Sequence, residues 1–101
     1  MKIKFLKSSR RKLDGIYDWY KEQGAGMAGR KIRAAVLKKA MRLRANPYLG
    51  QIEFTLEELG QGHRYLVEGH YKIIYFIDTA NQLVVITNIF DTRQDPSKLK
   101  S

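Results

Sequence analysis

Cysteine is absent from these 101 residues, which excludes disulfides and thiolate metal sites. Histidine is almost as scarce, and His63 and His70 by themselves give little basis for a metal centre, so neither a metal nor a cofactor is expected. No stretch approaches the roughly 18 consecutive apolar residues of a membrane span. The opening Met1-Lys2-Ile3-Lys4-Phe5-Leu6-Lys7 carries charge too regularly for a signal-peptide apolar region. A cytoplasmic protein without membrane contact is the expectation. No internal repeat or low-complexity segment interrupts the chain, and its length suits a single domain spanning residues 1–101. With 44% hydrophobic residues, there is ample material for one core.

Acidic residues are the other scarcity, and they are missing from one half only. Residues 1–50 hold 14 Lys and Arg against Asp14, Asp18 and Glu22, a local charge of +11. Residues 51–101 hold Arg64, Lys72, Arg93, Lys98 and Lys100 against seven acids, giving −2 within a total of +9. Such a one-sided field attracts polyanions: nucleic acid, ribosome or an acidic protein segment. A lipid surface fits less well, because the basic helices have no bulky apolar face to spare. No helix-turn-helix or RNP pattern is present, so a plain nucleic-acid-binding module has only the charge in its favour.

What is present reads as β-α-α-β-β-β. Ile3 and Phe5 alternate with Lys2 and Lys4 as a short strand with one buried face. Ser8 and Ser9 offer N-cap oxygens to a helix whose Leu13, Ile16, Tyr17 and Tyr20 repeat at helical spacing. Gly24-Ala25-Gly26 ends that helix, and a second is expected over Met27–Ala45, stopped by Asn46-Pro47. The short link folds the two helices into an antiparallel hairpin that carries most of the positive charge.

From residue 51 the pattern changes to strands. Glu53 to Leu59 reads equally as a short helical turn or a loop. His63–Val67, Tyr71–Ile77 and Leu83–Phe90 read as strands, joined by turns at Glu68-Gly69 and Asp78-Thr79-Ala80-Asn81. Turns this short make an antiparallel meander. The first strand joins beside the last or the central one. The expected fold is therefore α+β, with an N-terminal helix hairpin on a small twisted antiparallel sheet. Tyr71 and Tyr75 share parity with Ile73 and Ile77 and should face the core.

Two segments carry a resemblance: Arg64-Tyr65-Leu66-Val67-Glu68-Gly69-His70-Tyr71-Lys72-Ile73-Ile74-Tyr75, and Ile89-Phe90-Asp91-Thr92-Arg93-Gln94-Asp95-Pro96. Their order and spacing, with the aromatic helix residues Tyr17, Trp19 and Tyr20 and the Asn46-Pro47-Tyr48-Leu49-Gly50 punctuation, resemble the RelE/ParE superfamily of plasmid-stabilisation toxins. The resemblance implies the toxin of a type II toxin–antitoxin pair, held in a heteromeric complex by a cognate antitoxin. Two targets are known for this fold: DNA gyrase, poisoned by ParE-like members, and mRNA on the ribosome, cut by RelE-like members. Fold alone does not choose between them.

Residue by residue, the resemblance implies Arg64, Lys72 and Arg93 as the phosphate-binding or catalytic cations of a metal-independent endoribonuclease. RNA cleavage also needs a base and an acid. RelE-like members supply a Tyr or His near the C-terminus, where this chain ends Ser97-Lys98-Leu99-Lys100-Ser101; His63 or His70 would have to substitute. That departure favours the ParE-like reading, in which Arg93, Lys98 and Lys100 contact gyrase. Arg30 and Arg33, on the basic second helix, are the expected contacts for an acidic antitoxin. Trp19, off the apolar stripe, either covers a helix seam or anchors that partner.

Overall fold

Alternation at the N-terminus produces the expected strand β1, Lys2–Phe5, with Ile3 and Phe5 turned inward and Lys2 and Lys4 exposed. The computed structural model describes residues 1–93. Helix α1, Lys7–Glu22, springs directly from this strand. The Leu6 amide still donates to the Ile86 carbonyl at 3.0 Å as the last rung of β1. The helix therefore begins before either serine can cap it, and Leu6 occupies the N-cap without a side-chain bond. Ser9 is instead buried, its hydroxyl 2.8 Å from the Leu6 carbonyl and 2.9 Å from that of Ile86. It adds a buried second donor to the Ile86 carbonyl, which already accepts from the Leu6 amide.

Gly24, at φ +76°, closes α1, and helix α2 follows over Gly26–Met41. The expected end at Ala45 is replaced by a 3-10 turn at Arg42–Arg44, since tightening is common in a last turn that runs towards a proline. Gly29 is where the helices touch most closely. A Cβ there would lie 2.7 Å from the Tyr20 Cβ and 3.2 Å from the Tyr17 carbonyl. An ion pair between Arg33 and Asp14, at 2.7 Å, bridges the hairpin at its surface.

Five strands form one sheet: β1, β2 (Gln51–Ile52), β3 (Arg64–Glu68), β4 (Tyr71–Asp78) and β5 (Leu83–Asp91), in the spatial order β1-β5-β4-β3-β2. β3, β4 and β5 are the antiparallel meander that the short turns require. β1 pairs with β5 in parallel, Lys2 opposite Leu83 through Phe5 opposite Ile86, so the sheet is mixed rather than antiparallel. Parallel pairing is reached here through the helix hairpin, which supplies the long crossover. β2 was not anticipated. Two residues are too few to show an alternation. A 3-10 helix at Phe54–Leu59 settles the ambiguous acidic segment as a helical turn.

The helices cover one face of the sheet. Leu13 and Ile16 of α1 and Val36 and Ala40 of α2 pack on Leu66, Ile73, Tyr75, Val84, Ile86 and Ile89. Tyr71 and Tyr75 lie in this core, as parity predicted. The opposite face is also closed. Leu56, Ile74, Val85 and Phe90 are buried outside the main cluster, and the 53–63 segment is pinned there by two contacts. Glu53 pairs with Lys72 at 3.0 Å, and the His63 ring meets Phe76 edge-on at 5.5 Å between centroids. Burial on both faces explains why seven consecutive residues of β5, Val84–Phe90, are buried. A bulge opposite Ile74 and Tyr75 helps, shifting the facing of β5 midway.

Candidate functional site at the end of the last strand

The meander delivers Asp91 to the C-terminal end of β5, opposite Tyr71 at the start of β4. Two residues on, the Arg93 backbone amide donates to Asp91 Oδ1 at 2.9 Å, an Asx-type turn that sets the direction of the side chain. The Arg93 guanidinium then grips the same carboxylate with two bonds, Nε to Oδ1 at 3.0 Å and Nη2 to Oδ2 at 2.9 Å. Bidentate pairing of this kind fixes geometry as well as charge. It also lowers the Asp91 pKa, first through the Arg93 side-chain bond, and raises that of Arg93.

Arg93 remains 44% exposed, with its Cζ 5.9 Å from the centre of the Trp19 ring. Trp19 is itself half exposed and meets Tyr20 edge-on at 4.9 Å. Tyr20 neighbours Tyr71, whose hydroxyl pKa is pushed up first by burial and then by Tyr20 and Asp91. At neutral pH Tyr71 is a hydrogen-bond donor and not a base. Beside this group runs a cleft of about 380 Å³ between α1 and β5, lined by Arg11, Lys12, Ile16, Trp19, Tyr71 and Asp91. An exposed cation on an aromatic support, next to an open basic cleft, is suited to gripping an anionic or hydrogen-bonding partner surface.

The other sequence-predicted cations lie elsewhere. Arg64 pairs in register with Tyr75 and so shares the helix-covered face. Its Nη1 donates to the Gly50 carbonyl at 2.8 Å, and its Cζ lies 5.1 Å from the Tyr48 ring centre. Lys72 pairs with Val67 and Phe90, on the opposite face of the sheet. It is held by Glu53 and lies 4.3 Å from the Tyr65 ring centre. Arg64 and the Asp91 end are also separated along β4 by four residues, about 13 Å. The three cations do not converge.

His63 is buried, and neither ring nitrogen has a hydrogen-bond partner among the described residues. His70 is exposed in the β3–β4 turn, and its carbonyl accepts from the Thr92 amide and hydroxyl, both at 2.7 Å, near the Asp91–Arg93 pair. Of the residues expected to meet an acidic partner, Arg30 lies 5.4 Å from the Tyr17 ring centre and is exposed, whereas Arg33 is engaged by Asp14. Trp19 belongs to the β5 end and not to the α1–α2 seam that those two arginines straddle. Lys98 and Lys100 lie outside the described residues. Asp91 and Tyr20 were missed as members of this site; the Asp-x-Arg spacing at 91 and 93, at a strand end, was the available signal.

A family profile described as the ParE toxin of type II toxin–antitoxin system, parDE, matches residues 3–96, nearly the whole chain. This chain belongs to the ParE toxin family. Among solved structures, the chromosomal ParDE toxin–antitoxin system from P. aeruginosa shares the fold of this ParE-family chain, with a TM-score of 0.73 at 17% identity. That match covers 90% of this chain and 95% of the other. No curated protein matches. Among the described residues of this family member, no helix is long and apolar enough to cross a membrane.

Proposed function

We propose that this ParE-family toxin arrests growth by binding DNA gyrase through its β5 end, and that a cognate antitoxin neutralises it in the cytoplasm. One observation carries the choice of target: Arg64 and Lys72 stand on opposite faces of the sheet. A metal-independent ribonuclease needs its cations, base and acid around a single phosphate. Here both cations have structural partners, Gly50 for one and Glu53 for the other. Arg93 also has a partner, Asp91, but its side chain stays exposed while that ion pair and Trp19 hold it in place. Such a residue contributes by contact rather than by chemistry, which suits a toxin that inhibits an enzyme by binding it. Lys98 and Lys100 follow in sequence and extend the positive charge of the same end of the chain.

The test is biochemical. Purified protein should inhibit supercoiling by DNA gyrase in a dose-dependent way, and the product of the gene beside its own should relieve the inhibition. It should leave mRNA intact in a ribosome-programmed translation mixture. Transcript cleavage at codon positions, with supercoiling unaffected, would overturn the gyrase reading in favour of the nuclease.

A further inference from the structure

Between Gly26 and Asn46 the chain carries seven cations and no Asp or Glu. Among the described residues one of the seven is held by a carboxylate, Arg33 on Asp14. Arg30 lies against the Tyr17 ring. Lys31, Lys38, Lys39, Arg42 and Arg44 have no acidic partner among the described residues.

The helix turns three of these cations the same way. Val36, Ala40 and Leu43 are buried in the core. At 3.6 residues per turn, Lys31, Lys38 and Arg42 stand within roughly 60° of the line opposite Val36. All three are exposed, as is Ala34 between the first two. Along the helix axis Lys38 lies about 10 Å beyond Lys31, and Arg42 about 6 Å further on.

Local energetics do not account for this stripe. Lys38 and Arg42 are a like-charged pair four residues apart, an arrangement that works against a helix. The helix dipole favours cations in the last turn, where Lys38 and Lys39 lie. It offers nothing to Lys31 in the second turn, and the first turn holds no acid. An external anion would relieve the repulsion. The surface around Arg42 is hollowed as well as charged. A concavity of about 720 Å³ is lined in part by Lys38, Arg42, Arg44 and Asn46, and one of about 220 Å³ shares Arg42 and adds Lys39.

Duplex DNA suits this face best. The phosphates of one strand advance about 3.4 Å each along the duplex, so a stripe of about 16 Å spans several of them. Between Lys31 and Arg42 the outward face shows Ala34 and a partly buried Met41, too little apolar surface to anchor a peptide. Its cations suit phosphates, and it presents no Asn, Gln or aromatic side chain to read a base.

We propose that the outward face of α2, through Lys31, Lys38 and Arg42, seats on the phosphate backbone of duplex DNA without reading its sequence. This deepens the function proposed above by giving the toxin a hold on the DNA that gyrase works on. It rests on that reading only for the source of the DNA.

The direct measurement is fluorescence anisotropy of a labelled DNA duplex of about 30 base pairs, titrated with the full-length protein. Affinity should be independent of sequence and fall roughly 40-fold or more between about 0.05 and 0.2 M salt, the response of three or more phosphate contacts. Exchanging Lys31, Lys38 and Arg42 together for Gln should weaken binding at low salt by at least about tenfold and reduce the log–log salt slope by about 3. The charge-conserving triple Lys31→Arg, Lys38→Arg and Arg42→Lys should bind like the wild type. Exchanging Lys2, Lys4 and Lys7 for Gln, an equal loss of charge elsewhere, should cost no more than about threefold. Equal weakening by the two Gln triples would overturn the proposal, as would no binding at low salt. Tighter binding of duplex RNA than of DNA, or displacement of the DNA by polyglutamate at equal charge, would overturn it too.

Supercoiling assays separate the two readings. If the wild type binds DNA through α2 yet never inhibits gyrase, the gyrase reading fails and the DNA surface stands. If the wild type and the α2 Gln triple inhibit gyrase equally and neither binds DNA, the surface is wrong and the gyrase reading stands.

Discussion

Arg93 lies over the Trp19 ring while one edge of its guanidinium, Nε and Nη2, bonds to Asp91. The helix thus supports the strand end that the proposed target would meet. Exchanging Arg93 for Ala, or Trp19 for Ala, should abolish growth arrest without changing the circular dichroism spectrum, because both residues are substantially exposed. Asp91→Asn should be milder, since it frees the guanidinium without removing it. Full toxicity in the Arg93 variant would remove this end of the sheet from consideration.

Tyr75 is the hub of the turn after α2. Its hydroxyl accepts from the Gly50 amide and donates to the Pro47 carbonyl, both at 2.8 Å, and the ring is fully buried. Tyr75→Phe leaves the Gly50 amide without its partner, which should cost about 1–3 kcal/mol in urea-unfolding experiments. Gly50 is equally constrained: an added Cβ would sit 2.6 Å from both the Tyr65 carbonyl and the Tyr75 hydroxyl.

Gly29→Ala tests the helix hairpin. Despite the helix-favouring nature of alanine, its methyl would press on the Tyr20 Cβ and the α1 backbone. Overpacking of this kind should destabilise the protein by about 1–3 kcal/mol, read as a lowered midpoint in chemical denaturation. A neutral or stabilising result would mean that the hairpin opens without penalty.

Acid should loosen the second face. Burial holds the His63 pKa below its ordinary value, so the folded protein keeps this imidazole neutral. The unfolded chain takes up a proton at about pH 6.5 and the folded one only further below. The stability contributed by neutral His63 is complete above about pH 6.5 and declines as pH falls from there towards the depressed folded value. Asp78 and Asp91, whose pKa values are lowered, lose their contributions at still lower pH. Urea midpoints measured between about pH 7.5 and 5 should therefore fall in the wild type and stay nearly flat in His63→Leu. Equal slopes would show that the imidazole finds a proton partner in the folded state.

Much of the architecture is legible in the sequence. Leu13, Ile16 and Tyr20 at helical spacing marked the face of α1 that packs, and the parity of Tyr71, Ile73 and Tyr75 marked the core side of β4. Both are periodicities that local geometry imposes, so they survive in the bare sequence. Ser9 went the other way. A serine near a helix start reads as a cap, yet its hydroxyl serves a carbonyl 77 residues distant. No local pattern encodes that partner.

The amino-acid order alone determined β1, the two helices and the β3–β5 meander, the basic character of the N-terminal half, and the family. Tertiary structure decided that β1 runs parallel to β5, that Arg64 and Lys72 are parted by the thickness of the sheet, and that Asp91 and Trp19 hold Arg93. The division has a physical cause. Periodicity and turn chemistry act over a few neighbouring residues, whereas which cations share a face depends on register between strands far apart in the chain.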